Sequence, residues 1–249
     1  MTPEQTAAAL KKPIGDLGMQ FMADAETRAR GKGLGLRGRP FYYLGRGGAL
    51  GDVPAEVAVA AFAFAAPEVL TQHWNEGRGI LSPRDAARAY AECCNDWGRR
   101  VLGDMPGLDR ILELLERVAD GAQGAGLPLF VGWRAMPRPD DLPGRLAQVL
   151  HVMREQRGSA HAAAIAAVGL GPLEATLAGS YGELSAKFFE WPEPYPDPEP
   201  HRERWGQAEH LTSVAAAAPY EILDRFERAE LAALLGEIHG RLGLADPLG

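Results

Sequence analysis

The chain holds almost no cysteine. Its 249 residues include two, and these are neighbours, Cys93 and Cys94. Adjacent cysteines strain a mutual bond and match no metal or redox spacing, which excludes a disulfide scaffold and makes a reduced, cytoplasmic protein the expectation. A run of about 18 apolar residues is also missing, so no transmembrane helix is expected. The opening MTPEQTAAALKKPIGD has no basic segment followed by an apolar one, so no secretion leader is expected. No Gly-Lys-Ser/Thr closes a glycine loop, no Gly-x-Ser-x-Gly elbow occurs, and no His-Glu-x-x-His spaces two ligands along a helix. Nucleotide cradles, serine hydrolases and zinc proteases of those types are excluded.

Positive charge is scarce where it would matter for nucleic acid. Residues 166–249 hold 6 Lys and Arg against 14 Asp and Glu, and from Ser159 to Ala186 there is no Lys or Arg at all. The formal net charge is −7. An acidic balance removes the cheap attraction to phosphate that supports nonspecific DNA binding.

Strand signals are thin. Phe41–Leu44 and Leu129–Trp133 are the two short β-like runs, enough for one small hairpin and no more. Helical spacing dominates elsewhere. Leu108, Ile111, Leu112, Leu115 and Val118 share one face, and Leu223, Phe226, Leu231, Leu234, Leu235, Ile238 and Leu242 repeat the pattern. Ser82-Pro83 and Pro54 mark helix starts, and Gly243 suits a helix end. The fold class is all-α, with at most one hairpin. Glycine and proline near 125–144 suggest two parts. Residues 1–125 form an N-terminal helical region with a Gly/Arg-rich loop at 31–51, and residues 126–249 form a C-terminal region ending in a long helix. A second interruption, WPEPYPDPEP at 191–200, reads as an extended strap.

Two segments carry candidate chemistry. The loop 31–51 has 8 glycines in 21 residues with Lys32, Arg37, Arg39 and Arg46 among them, a composition that brings cations and backbone amides close to an anion. The stretch HVMREQRGSAH places His151, Arg154 and Glu155 at helical spacing, with Arg157 one turn on. Gly158 reads as a helix break, Ser159 as the cap of the next helix, and His161 as its opening. Such a corner can do acid–base work: His151, His161 and Glu155 as catalytic groups, with Arg46, Arg154 and Arg157 holding an anionic substrate. The plainer reading leaves the arginines as solvated charges and the histidines as core residues. A metal on His151, Glu155 and His161 is not expected, because the spacing is loose and arginines would repel a cation. No cofactor is implied.

The segments FYYLGRGGALGDVPAEV, PEVLTQHW and HVMREQRGSAHAAAIAAVGLGPLEA resemble an actinobacterial family labelled helix-turn-helix, over residues 15–243. The C-terminal half of that family is similar to MarR-like winged-helix regulators. The closing stretch AEHLTSVAAAAPYEILDRFERAELAALLGEIHGRL looks like the last residues of a wing and a dimerisation helix. The resemblance implies a MarR-like winged-helix-related scaffold and DNA binding. The residues of the second motif helix, GPLEATLAG, argue against DNA, since none is Arg, Lys, Asn or Gln.

Three functions are therefore carried forward. The first is a cofactor-independent lyase or cyclase of a natural-product pathway, working by elimination or ring closure on a small anionic molecule. The alternative is a MarR-like, ligand-responsive DNA-binding regulator. The third is a non-catalytic binding subunit. A homodimer or a heteromeric partner is compatible with each; DNA is not favoured as a partner and no membrane is expected.

Overall fold

Helix starts follow the residues that satisfy free backbone amides. Thr2 caps the first helix in a reciprocal box with Gln5, Ser82 accepts from the Asp85 amide, Asp141 from the Gly144 amide, and Asp224 forms a second box with Glu227. The computed structural model describes residues 1–244, and within them fourteen α-helices. In chain order they are α1 (Pro3–Leu17), α2 (Gln20–Ala23), α3 (Ala25–Gly33), α4 (Arg39–Gly47), α5 (Ala55–Phe62), α6 (Pro67–Arg78) and α7 (Pro83–Leu102). There follow α8 (Leu108–Gly121), α9 (Pro128–Arg134), α10 (Leu142–Ala167), α11 (Pro172–Ala178), α12 (Gly182–Phe188), α13 (Arg202–Ala217) and α14 (Arg225–Leu242).

Helix α10 is the axis of the molecule. It packs against α1, α5, α7, α8, α9 and α13, and it buries residues around much of its circumference rather than along one stripe. One hydrophobic cluster runs from Leu10 to Ile238 and takes side chains from α1, α4, α7, α8, α9, α10 and α14. Helix α7 crosses α10 closely at Gly98. A Cβ there would lie 2.5 Å from the Pro143 carbonyl oxygen and 2.6 Å from the Ala147 Cβ. Gly98→Ala is expected to destabilise the protein by about 1–3 kcal/mol through overpacking. Urea unfolding checks this; an unchanged midpoint would show that the two helices can part without cost.

No strand occurs among the described residues, which corrects the winged-helix expectation. Neither the hairpin nor the wing is found among the described residues, so the scaffold is all-α but not MarR-like. Both β-like runs are helical. Phe41–Leu44 lies in α4 and Leu129–Trp133 in α9, each behind a proline in the first turn, Pro40 and Pro128. Phe41 and Leu44, like Phe130 and Trp133, sit three apart and bury one helical face. The 191–200 strap cannot pair as a wing because alternate prolines remove the donors a ladder needs. The Trp191 indole pins it to the body by donating to the Phe64 carbonyl at 2.8 Å.

Two further expectations are corrected. Arg46 stands on the last turn of α4, not in a loop. Gly158 does not break the chain: α10 continues through it to Ala167, so 151–161 is one straight helical stretch and not a corner. The helix ends at Ala167, and a turn of four residues, Val168 to Gly171, with Gly169 at φ 67° leads to α11, bent by 111° from α10. A short glycine turn with that angle is the geometry of a helix-turn-helix. No single helix among the described residues is long and apolar enough to cross a membrane.

Candidate functional site

Helical spacing puts Tyr42 and Arg46 on one face of α4, and His151 and Glu155 on one face of α10. The two faces meet. The Arg46 guanidinium grips Glu155 with a two-pronged fork, Nε to Oε1 and Nη2 to Oε2, both 2.8 Å. Its remaining edge donates to the Tyr42 hydroxyl at 3.1 Å, and the cation lies 4.6 Å above the Phe62 ring. Arg154 adds a third hydrogen bond to Glu155 Oε1 at 2.9 Å. Glu155 is fully buried and Arg46 is 8% exposed. Burial alone would raise the Glu155 carboxyl. The charge and hydrogen bonds of Arg46, with Arg154 beside them, overcome that and hold it at about 2. Burial likewise opposes the Arg46 charge, and Glu155 more than offsets it.

His151 lies on the far side of this pair. Its Nδ1 is 3.0 Å from the Gly18 carbonyl at the end of α1. A carbonyl can only accept, so Nδ1 carries the proton and Nε2 is a bare lone pair. That Nε2 has no hydrogen-bond partner and stands 3.7 Å from Glu155 Oε1. The ring is wedged edge-on against Trp133 at 4.3 Å and Phe21 at 5.2 Å. Burial pushes its pKa from the ordinary 6.5 to about 4, which keeps the ring neutral.

A second polar cluster gathers one turn further along α10. Arg157 donates to Glu209 Oε2 at 3.0 Å, and Lys11 reaches the same oxygen at 2.9 Å. The Thr212 hydroxyl gives its proton to the Ala208 carbonyl, so it accepts from His161 Nδ1 at 3.0 Å. His161 Nε2 is then the lone-pair nitrogen. Phe64 stacks on that ring at 5.4 Å. Burial lowers the His161 pKa, with Glu209 acting against it.

Between the clusters lies a cavity of about 450 Å³, enclosed by α1, α4, α5, α10 and α13. Leu10, Ile14, Phe62, Leu129, Met153 and Phe189 make most of it apolar. Four cations, Lys11, Arg46, Arg154 and Arg157, stand at its wall against Glu209 and, behind Arg46, Glu155. With His161 neutral the wall keeps two positive charges in a chain whose net charge is −7. The size lies within the usual range for small-molecule sites, about 300–1,000 Å³. Among the described residues, no group of three His, Cys, Asp or Glu is placed to hold a metal ion.

Of the residues singled out in the sequence, Arg46, Arg154, Arg157 and His161 reach the cavity wall together. Glu155 supports that wall from behind, and His151 is not part of it. Sequence reasoning missed Lys11 and Glu209, which meet across 198 positions. It also missed Phe64 and the role of Ser159. Ser159 caps nothing; its Oγ is buried at the wall with no hydrogen-bond partner.

The helix-turn-helix adjoins this site. Helix α11 buries Ala175, Thr176, Leu177 and Ala178 and exposes no basic side chain. The basic residues on the elements packed around it, Lys187, Arg202 and Arg204, are exposed, and Arg204 donates to the Gly169 carbonyl at 3.2 Å. The model of a helix-turn-helix family matches residues 7–197. No curated protein and no solved structure matches the chain.

Proposed function

The chain belongs to that helix-turn-helix family, and from this premise we propose that it is a ligand-responsive regulator whose cavity takes an organic anion with an apolar body. One observation carries the reading. Helix α10, which carries the cavity wall from Met153 to His161, is itself the first helix of the helix-turn-helix and runs unbroken to its turn. Tyr181 and Phe189, from either end of the α12 region, also line the cavity. A ligand that moves these side chains therefore acts on the helix-turn-helix directly. It shifts the equilibrium by as much as its affinities for the two arrangements differ.

The charge pattern shapes the output. With α11 bare of cations, base contacts of the usual bidentate kind are not available from it. Few phosphate contacts predict a shallow salt dependence, a slope of about −0.9 in log K per phosphate neutralised. The test is fluorescence anisotropy with duplexes tiled from the region upstream of its own coding sequence, at two salt concentrations. Anilinonaphthalene sulfonate, an apolar anion, serves as the cavity probe. Sequence-selective binding that shifts with the probe, and no longer shifts in Arg157→Ala, is the expected result. Absence of selective binding at both salts would overturn the regulator reading.

A second reading, acid–base elimination on the bound anion, is supported by His161, an imidazole at the cavity wall whose Nε2 lone pair is left over. His151 and Glu155 would then act as supports of Arg46, not as groups touching substrate. His161→Asn should abolish turnover of such a substrate while leaving binding of the probe within about twofold; turnover surviving intact would sink this reading.

A further inference from the structure

A second concave surface begins where the first cavity ends. It is an apolar groove of about 510 Å³ between α5 and the last turns of α10, and it shares Ala61, Phe64 and Ser159 with the cavity. Its walls carry no charged residue, and Ser159 is the one polar side chain among them. Ala162, Ala163 and Ala166 leave it wide, because side chains that would fill it are cut back to a methyl on that face of α10. At its far end stand Leu170 and Pro172, the turn of the helix-turn-helix.

Phe64 lines both the cavity and the groove. It stacks on His161 on the cavity side and follows Ala63, whose φ of 64° is uncommon for a residue with a side chain. Such conformations persist where the surroundings over-determine them, and they cluster at ligand clamps and switch regions. Ser159 also lines both the cavity and the groove; the residue is 5% exposed, and its hydroxyl oxygen is buried without a partner. A buried hydroxyl without a partner is costly, and a polar atom of a ligand crossing there would satisfy it.

We propose that the cavity and the groove form one site for an elongated amphipathic acid. Its carboxylate lies among Arg154, Arg157 and Lys11, an oxygen function on its chain meets Ser159, and its apolar tail runs past Phe64 along the alanine face to Leu170 and Pro172. The proposal rests on the anion-binding reading of the cavity and adds the ligand class and the point of contact with the helix-turn-helix. Charge at one end and an uncharged trough at the other are what such a molecule needs. Neither a compact dianion nor a neutral hydrocarbon matches both.

The test is calorimetric titration with octanoate, dodecanoate and hexadecanoate, and with the isomeric hydroxydodecanoates. Each added methylene that enters the groove should tighten binding roughly fourfold. Ala166 is exposed, so Ala166→Trp fills the groove without touching the core. It should bring dodecanoate down to the affinity of octanoate and leave octanoate unchanged. One hydroxydodecanoate isomer should bind about tenfold tighter than dodecanoate, and Ser159→Ala should erase that gain. If octanoate binds and is lost in Arg154→Ala or Arg157→Ala, but longer chains gain nothing, the groove is overturned and the cavity reading stands. A gain with chain length that survives Ala166→Trp also overturns it. If no chain binds, the anion-binding reading falls and takes this proposal with it.

Discussion

Glu155→Ala is expected to cost about 3–5 kcal/mol of folding stability, a large share of the roughly 5–15 kcal/mol a domain commonly has. The reason is what remains behind. Arg46 is 8% exposed, its fork has no second carboxylate, and its other contacts are the Tyr42 hydroxyl and the Phe62 ring. A buried cation without its counter-ion carries its full desolvation penalty. The pair as a whole is a different matter. Arg46→Met together with Glu155→Leu should recover most of the loss, because an apolar pair of similar volume carries no such penalty. Urea unfolding of the two single variants and the double variant closes the cycle. A loss below about 1 kcal/mol in Glu155→Ala would show that Arg46 can reach solvent through the cavity. The double variant should nevertheless lose affinity for anions, since it removes a cation from the wall.

Acid should lower the stability of the protein through two overlapping pH windows, and His151 sets the first. In the unfolded chain this imidazole takes a proton near 6.5, while in the folded protein it does so only at about 4. Between those values the unfolded chain binds more protons, so stability falls as pH drops through that window and is fully present above it. The loss is on the order of 3 kcal/mol. His161, also lowered by burial, acts in the same direction. Glu155 follows. Its carboxyl is ordinary at 4.5 when unfolded and held at about 2 in the fold, so its contribution is present above the first value and disappears as pH falls through the second. His151→Asn keeps an amide donor for the Gly18 carbonyl and removes the titrating ring. Its urea midpoint should be nearly flat from pH 6.5 to about 5, above the range where Glu155 begins to act, apart from the part due to His161. Profiles that superimpose for the variant and the wild type would place the acid sensitivity elsewhere.

Much of the helical framework was legible in order along the chain. The helix start at Ser82-Pro83 and the apolar periodicity over 108–119 and 223–242 correspond to helices in the structure. Short apolar runs were not legible. Phe41–Leu44 and Leu129–Trp133 are too brief for period two and period 3.6 to differ, and their neighbours on α7 and α10 decided for helix. Gly158 misled for a related reason. A glycine inside a helix costs about 1 kcal/mol relative to alanine. A 26-residue helix packed on six others absorbs that cost without breaking.

The candidate site divides along the same line. The sequence by itself determined which side chains share a turn of α10, since spacings of three and four need only the helix. It also set the scarcity of cations on the second motif helix. Only the tertiary structure decided what each residue faces. It turned His151 into the core beside Gly18 and Trp133, closed Arg46 onto Glu155 across 109 positions, and brought Lys11 and Glu209 to the cavity from opposite ends of the chain. Local periodicity fixes a direction around one helix axis. Which neighbour waits in that direction depends on how all the helices pack.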